Sequence, residues 1–157
     1  MAEAQASELE ARLRADAQQA QRARDQVRLD TLRLALNAIH LEEVARTDHD
    51  NPNYGKQITE QDRLALLDKQ VKQRHEAAAL YRKGNRPELA EKEEREATIL
   101  QTYLPAKMTD DELRELISRL IATQGKDFKK IMPLAAKETK GRAEGARVQQ
   151  IVRELTT

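Results

Sequence analysis

Residues 127–155 read DFKKIMPLAAKETKGRAEGARVQQIVREL, and the reading of this stretch decides the fold. A short lysine-bearing helix runs into KGRAEG at 140–145. A second helix follows, in which Val148, Ile151, Val152 and Leu155 recur at the three- and four-residue intervals of one helical face. Two glycines, Gly141 and Gly145, therefore sit with Lys140, Arg142 and Glu144 at a helix-to-helix corner. From residue 126 to the end the chain carries eight lysines and arginines against four carboxylates. This segment is therefore +4, whereas the whole chain of 157 residues is only +1. A cationic end on a nearly neutral protein marks a surface suited to an anionic partner.

Working back from that end, Thr109 and Glu112 have the spacing of a capping box. Leu113, Leu116, Ile117, Leu120 and Ile121 then give an amphipathic helix that stops at Gly125. Residues 106–157 thus read as a compact three-helix module. Pro133 lies inside its middle helix and removes a backbone donor, which predicts either a kink or a start later than Phe128. The boundary falls at LPAK, 104–107, and residues 1–105 form an N-terminal helical domain.

In that domain a first helix is expected from Ser7, with Glu10 completing a capping box. Its few large apolar residues, Leu9 and Leu13, predict a peripheral helix that packs lightly. The second helix, about 25–45, has Val27, Leu29, Leu32, Leu34, Leu36, Ile39, Leu41 and Val44. So wide an apolar arc predicts a central helix contacted from several sides. TDHDNPNYGKQ at 47–57 reads as a loop, and Thr59 with Asp62 as the start of a third helix. That helix places Leu64, Leu67, Val71, Ala78 and Tyr81 near one face and stops at Gly84, which suits a left-handed cap. Pro87 opens a fourth helix, which ends before Pro105. The third helix is basic and the fourth acidic, which predicts complementary solvated faces on a helical hairpin. The fold class is all-α.

Composition narrows the function. Charged residues make up 35% of the chain and aromatics 3%, so the core must be built from Leu, Ile, Val and Ala. With no cysteine there is neither a thiolate metal site nor a cysteine nucleophile. No apolar run approaches the ~20 residues of a membrane span. The N-terminal sequence lacks the basic start and apolar run of a signal peptide, and a cytoplasmic protein is expected. The serines are Ser7, a cap, and Ser118, on a polar helical side; neither has the neighbours that activate a nucleophile. The five glycines form no phosphate-binding loop. His49 lies between Asp48 and Asp50 in a loop, where those carboxylates suit turn backbone, and no pair of histidines has helical ligand spacing. No catalytic residue, metal or cofactor is expected.

The corner at 140–145 has two readings. Lys137 and Lys140 at a helix C-terminus complement its dipole, and Arg142 can cover apolar surface with its stem. Alternatively, Gly141 and Gly145 let backbone approach a phosphate beside Lys140 and Arg142, with Glu144 competing for the same N–H groups. Stacking aromatics are absent from the corner, so shape and phosphate contact would dominate recognition.

Three separated strings carry a family resemblance: RLDTLRLALNAIH at 28–40, KQRHEAAALYRKGNRPELAEKEEREATILQTYLP at 72–105, and DFKKIM with KGRAEGARVQQIVREL at 127–155. Together they resemble the GatB/YqeY family, and in particular its small stand-alone YqeY-like proteins, over nearly the whole chain from about Leu9. The resemblance implies an all-helical protein whose C-terminal part is similar to the tail domain of the B subunit of glutamyl/aspartyl-tRNA amidotransferase. In that enzyme the tail helps hold tRNA, while glutaminase and activation chemistry lie in domains without counterpart here. The label of carbon–nitrogen ligase with glutamine as amido-N-donor is thus expected only of a complex. The matching tail positions are Lys130, Ile131, Met132 and Lys140 to Gly145. Lys129, Pro133 and Glu144 depart from the residues usual there.

The reading is a non-catalytic accessory module associated with tRNA. Its nucleic-acid-binding candidates are Lys129, Lys130, Lys137, Lys140, Gly141, Arg142, Gly145 and Arg147. The partners implied are tRNA and an amidotransferase or aminoacyl-tRNA synthetase complex, with no membrane. The alternative is a helical protein–protein adaptor without direct RNA contact.

Overall fold

A computed structural model describes residues 7–157; residues 1–6, the start of the stretch read for a signal peptide, lie outside the described residues. Among the described residues there are seven α-helices and no strand, so the protein is all-α. No helix among them is long and apolar enough to cross a membrane. The chain divides into two compact units, one ending at Leu104 and one spanning Pro105–Thr157.

The first unit holds α1 (Glu8–Arg22), α2 (Gln26–Ala45), α3 (Glu60–Lys83) and α4 (Pro87–Gln101). Ser7 caps α1, its hydroxyl accepting from the Glu10 amide at 3.1 Å. The reciprocal half of the expected box is missing. The Glu10 carboxylate instead lies 3.6 Å from Arg63 Nε on α3, and a carboxylate oxygen of Glu60 accepts from the Leu9 amide at 3.4 Å. Nor is α1 peripheral. Leu9, Leu13, Ala17 and Ala20 are all buried, in the same core as Leu29, Leu32 and Ile39 of α2, Leu67 of α3 and Leu100 of α4. Alanine faces let helices approach closely, so a stripe with two leucines and two alanines suffices to bring α1 fully into the core. A side-chain cluster closes this corner: the Tyr103 hydroxyl bonds the Asp16 carboxylate, and Arg12 lies over the Tyr103 ring, 5.0 Å from its centre. Burial, with the Asp16 carboxylate beside it, pushes the phenol up to about 12.

As expected, α2 is central, packing on α1, α3 and α4. Its apolar arc is nevertheless divided. Leu29, Leu32, Ala35 and Ile39 are buried, whereas Leu34, Leu41 and Val44 are each more than half exposed. Thr59 and Asp62 form a complete capping box at α3. The left-handed residue after α3 is Asn85 (φ 58°), not Gly84 (φ −83°). Asparagine tolerates this region, and the Arg86 amide donates back to the Tyr81 carbonyl at 2.8 Å. The charges of α3 and α4 pair across their seam: Arg82 forks onto Glu94, and Arg74 meets Glu96 with Glu93 beside it. The Arg74–Glu96 pair is mostly shielded from water, with about a tenth of each side chain exposed (13% and 11%), so this part of the seam is not the solvated face the charge pattern predicts.

The second unit holds α5 (Asp110–Gln124), α6 (Phe128–Thr139) and α7 (Gly145–Thr156). Its core joins Leu113 and Ile117 of α5, Ile131 and Ala135 of α6, and Val148, Ile151 and Val152 of α7. The capping box of Thr109 and Glu112 is complete, and Gly125 (φ 91°) ends α5. Helix α6 starts at Phe128, not later, with Asp127 as its cap accepting from the Lys129 amide at 3.0 Å. Pro133 is tolerated inside it because it faces solvent, where water can serve the carbonyl one turn earlier.

Because Leu13 is fully buried in the shared core, Leu13→Ala is predicted to lower stability by about 2–5 kcal/mol in chemical denaturation. A loss below about 1 kcal/mol would restore the lightly packed first helix.

Candidate nucleic-acid interface

The outward face of α6 is set by what it buries. Ile131, Ala135 and Thr139 point into the core, and the Thr139 hydroxyl is satisfied by the Ala135 carbonyl at 2.7 Å. With 3.6 residues per turn, Lys130 and Lys137 must then lie on the opposite side, two turns and about 10 Å apart along the axis. Both are exposed, as is Lys129 at the flank. Pro133 and the partly exposed Leu134 separate them. Cationic stems thus flank a small apolar patch.

The corner follows. Lys140 ends α6, and Gly141 takes φ 79°, a conformation strained for any residue with a Cβ. A Cβ at Gly141 or at Gly145 would meet nothing within 4 Å, so the space in front of both is open. Lys140 and Arg142 are exposed, and no carboxylate of the described residues pairs with either. Arg142 is nevertheless anchored: its Nε donates to the Ala106 carbonyl at 3.2 Å, and its own carbonyl accepts from the Met108 amide at 2.8 Å. These two bonds tie the segment before α5 to the corner and fix where the guanidinium emerges.

Glu144 is the N-cap residue of α7 but makes no side-chain cap hydrogen bond. Its carboxylate lies 3.1 Å from Lys107 Nζ. The competition for the α7 amides expected from its position is therefore not what the structure shows. Arg147 is also placed differently from the other candidates. Its Nε donates to Asp110 Oδ1 at 2.8 Å, a second nitrogen bonds Oδ2, and Nη1 reaches Gln150 at 2.9 Å. Hydrogen bonding to Asp110 raises the arginine, and the same contact holds the Asp110 carboxyl below the usual 3.8. The geometry makes Arg147 a clasp between α5 and α7. Phe128 packs on the core with Arg153 over its ring at 5.7 Å, so it offers no open stacking platform.

The candidates thus divide. Lys137, Lys140 and Arg142 present charge outward at the glycine corner, Lys129 and Lys130 do so about 15 Å away at the start of α6, and Arg147 is engaged internally. Sequence spacing alone cannot reveal the Arg147–Asp110 or Lys107–Glu144 pairs, because each joins residues 37 positions apart. Leu134, set between the α6 lysines, was also missed; the face is legible only once the buried side of the helix is known. The remaining chemistry-bearing side chains have local roles. Ser7 caps α1, and the His49 ring packs on Tyr54 at 4.3 Å between centres. His75 faces Gln101 at 3.5 Å. No cluster of three potential metal ligands occurs among the described residues.

The family model described as Yqey-like protein matches residues 10–156. A comparison with curated proteins gives no match.

The Arg147–Asp110 clasp is testable through pH. A carboxyl held below its ordinary value stabilises the fold above that value, and the contribution disappears as pH falls through the depressed one. Arg147→Ala is therefore predicted to lower the melting temperature at neutral pH. The difference from the unaltered protein should shrink below pH ~3.8, the ordinary value that Asp110 undercuts. A difference constant across that range would show the clasp to be electrostatically idle.

Proposed function

The chain belongs to the YqeY-like family, and on that premise we propose that it is a non-catalytic RNA-associated accessory module whose C-terminal unit grips tRNA. The observation that carries this reading is the row of outward cations along α6 and the corner after it: Lys129, Lys130, Lys137, Lys140 and Arg142, none paired with a carboxylate of the described residues. Unpaired exposed cations such as Arg33, Lys69 and Lys83 occur elsewhere too, so what supports the reading is that these five share one helix and the turn that follows it. Unpaired lysines repel one another, and an array of phosphates removes that repulsion while releasing counterions. Base stacking contributes little, since Phe128 is covered, and phosphate contact with shape supplies the affinity. The resemblance of 130–132 and 140–145 to an amidotransferase tail favours tRNA among RNAs, and it supports a reading in which any amide-forming step belongs to other subunits of a complex.

With about three to five phosphate contacts, tRNA affinity is expected to fall with salt at a log–log slope of about −2 to −4. Lys140→Glu combined with Arg142→Glu should flatten that slope and weaken binding while leaving the helical content unchanged. Filter binding or fluorescence anisotropy with bulk tRNA measures both. Absence of binding at low salt overturns the proposal, as does a charge-reversed variant that binds like the original.

A further inference from the structure

The divided face of α2 carries a separate message from the cationic corner. Leu34, Leu41 and Val44 are 52%, 58% and 51% exposed although the helix is central to its unit. They are not scattered. Residues 27, 30, 34, 37, 41 and 44 follow the alternating three- and four-residue steps of a coiled-coil seam, with Val27, Leu34 and Leu41 in one position and Asp30, Asn37 and Val44 in the other. The aliphatic part leaves on the order of 300 Å² per copy in water, a size at which a surface patch is often functional.

We propose that this seam is a self-association surface, on which α2 packs antiparallel against α2 of a second copy of this chain. Parallel pairing would stack Asp30 on Asp30, a like-charge contact. Antiparallel pairing about a two-fold axis near residue 39 avoids it. It sets Leu34 against Val44 of the second copy, and Leu41 against Asn37. Asp30 then falls opposite the loop beyond Ala45, outside the helical overlap. A two-fold contact must be self-complementary, and this register is: the same two layers repeat on either side of the axis. On one flank Ala38 and Ala45 are small enough to let the helices approach closely. The two Asn37 amides lie about one turn apart across the axis. A polar residue in an otherwise aliphatic seam fixes register in this way. The area buried, below roughly 1,200 Å² in total, belongs to weak and reversible pairs.

Sedimentation velocity of the full chain tests this from low to high micromolar concentration. The expected result is a monomer that converts to dimer as concentration rises, and Leu41→Glu should weaken the dimer by at least about tenfold. Leu41 is exposed, so circular dichroism should show the variant folded. Leu80→Glu, at another exposed leucine on α3, is the control and should leave the dimer intact. The chain has no cysteine, so single substitutions report geometry. Under mild oxidation Ala38→Cys, beside the axis, should cross-link to itself, whereas Arg33→Cys, displaced along the helix, should not. A monomer at every concentration overturns the proposal, as does a dimer indifferent to Leu41→Glu. Cross-linking at both positions overturns the antiparallel arrangement.

Discussion

Ile131 and Ala135 of α6 share one core with Ile117 of α5 and Ile151 of α7, and all four are fully buried. That packing fixes the rotation of α6 about its own axis. Once it is fixed, the positions of Lys129, Lys130 and Lys137 are no longer free to vary, and the chain must leave the helix at Lys140. Gly141 then reverses direction with a positive φ that a side chain would resist, and α7 begins within four residues. The cationic corner is thus a consequence of apolar burial rather than of any attraction among charges, which repel. Ion pairing works around it: Lys107 lies beside Glu144, and Arg147 clasps Asp110. Exposed pairs contribute little stability individually. Their effect is positional, holding the segment before α5 and the start of α7 where they flank the corner.

The first unit obeys the same constraint with different consequences. Having only one phenylalanine and three tyrosines in the whole chain, the protein fills its interior with leucine and alanine, and helices must approach closely for that to exclude water. Tyr103 is the aromatic exception inside. Its hydroxyl stays satisfied by Asp16, which keeps burial of that polar atom from costing stability. The Arg74–Glu96 contact is the counterpart between α3 and α4, where removing one partner would strand the other in a poorly hydrated seam.

Most of the helix boundaries were legible from local chemistry, because caps and stops act within a few residues. Thr59 with Asp62, Thr109 with Glu112, Pro87 and Gly125 all behave as their spacing implies. What failed depended on tertiary context. Leu9, Leu13, Ala17 and Ala20 do fall on one face, but alanine carries little hydrophobic weight in a pattern count, so a fully packed α1 looked peripheral. The converse holds for Leu34, Leu41 and Val44, which looked like core and are surface. Gly84 yielded the left-handed cap to Asn85, one residue later. At the corner, the types and order of the charges were readable. Which of them are engaged was not, since that is decided by contacts between residues far apart in sequence.

The proposed RNA contact is confined to α6 and the corner at residues 140–145. Amide chemical-shift mapping of the full-length protein during titration with tRNA tests this most directly. The account predicts perturbations concentrated at Lys129, Lys130, Lys137 and the backbone from Lys140 to Gly145, with the α3 and α4 amides unmoved. Shifts centred on the basic residues of α3, or none at all at saturating tRNA, would contradict it.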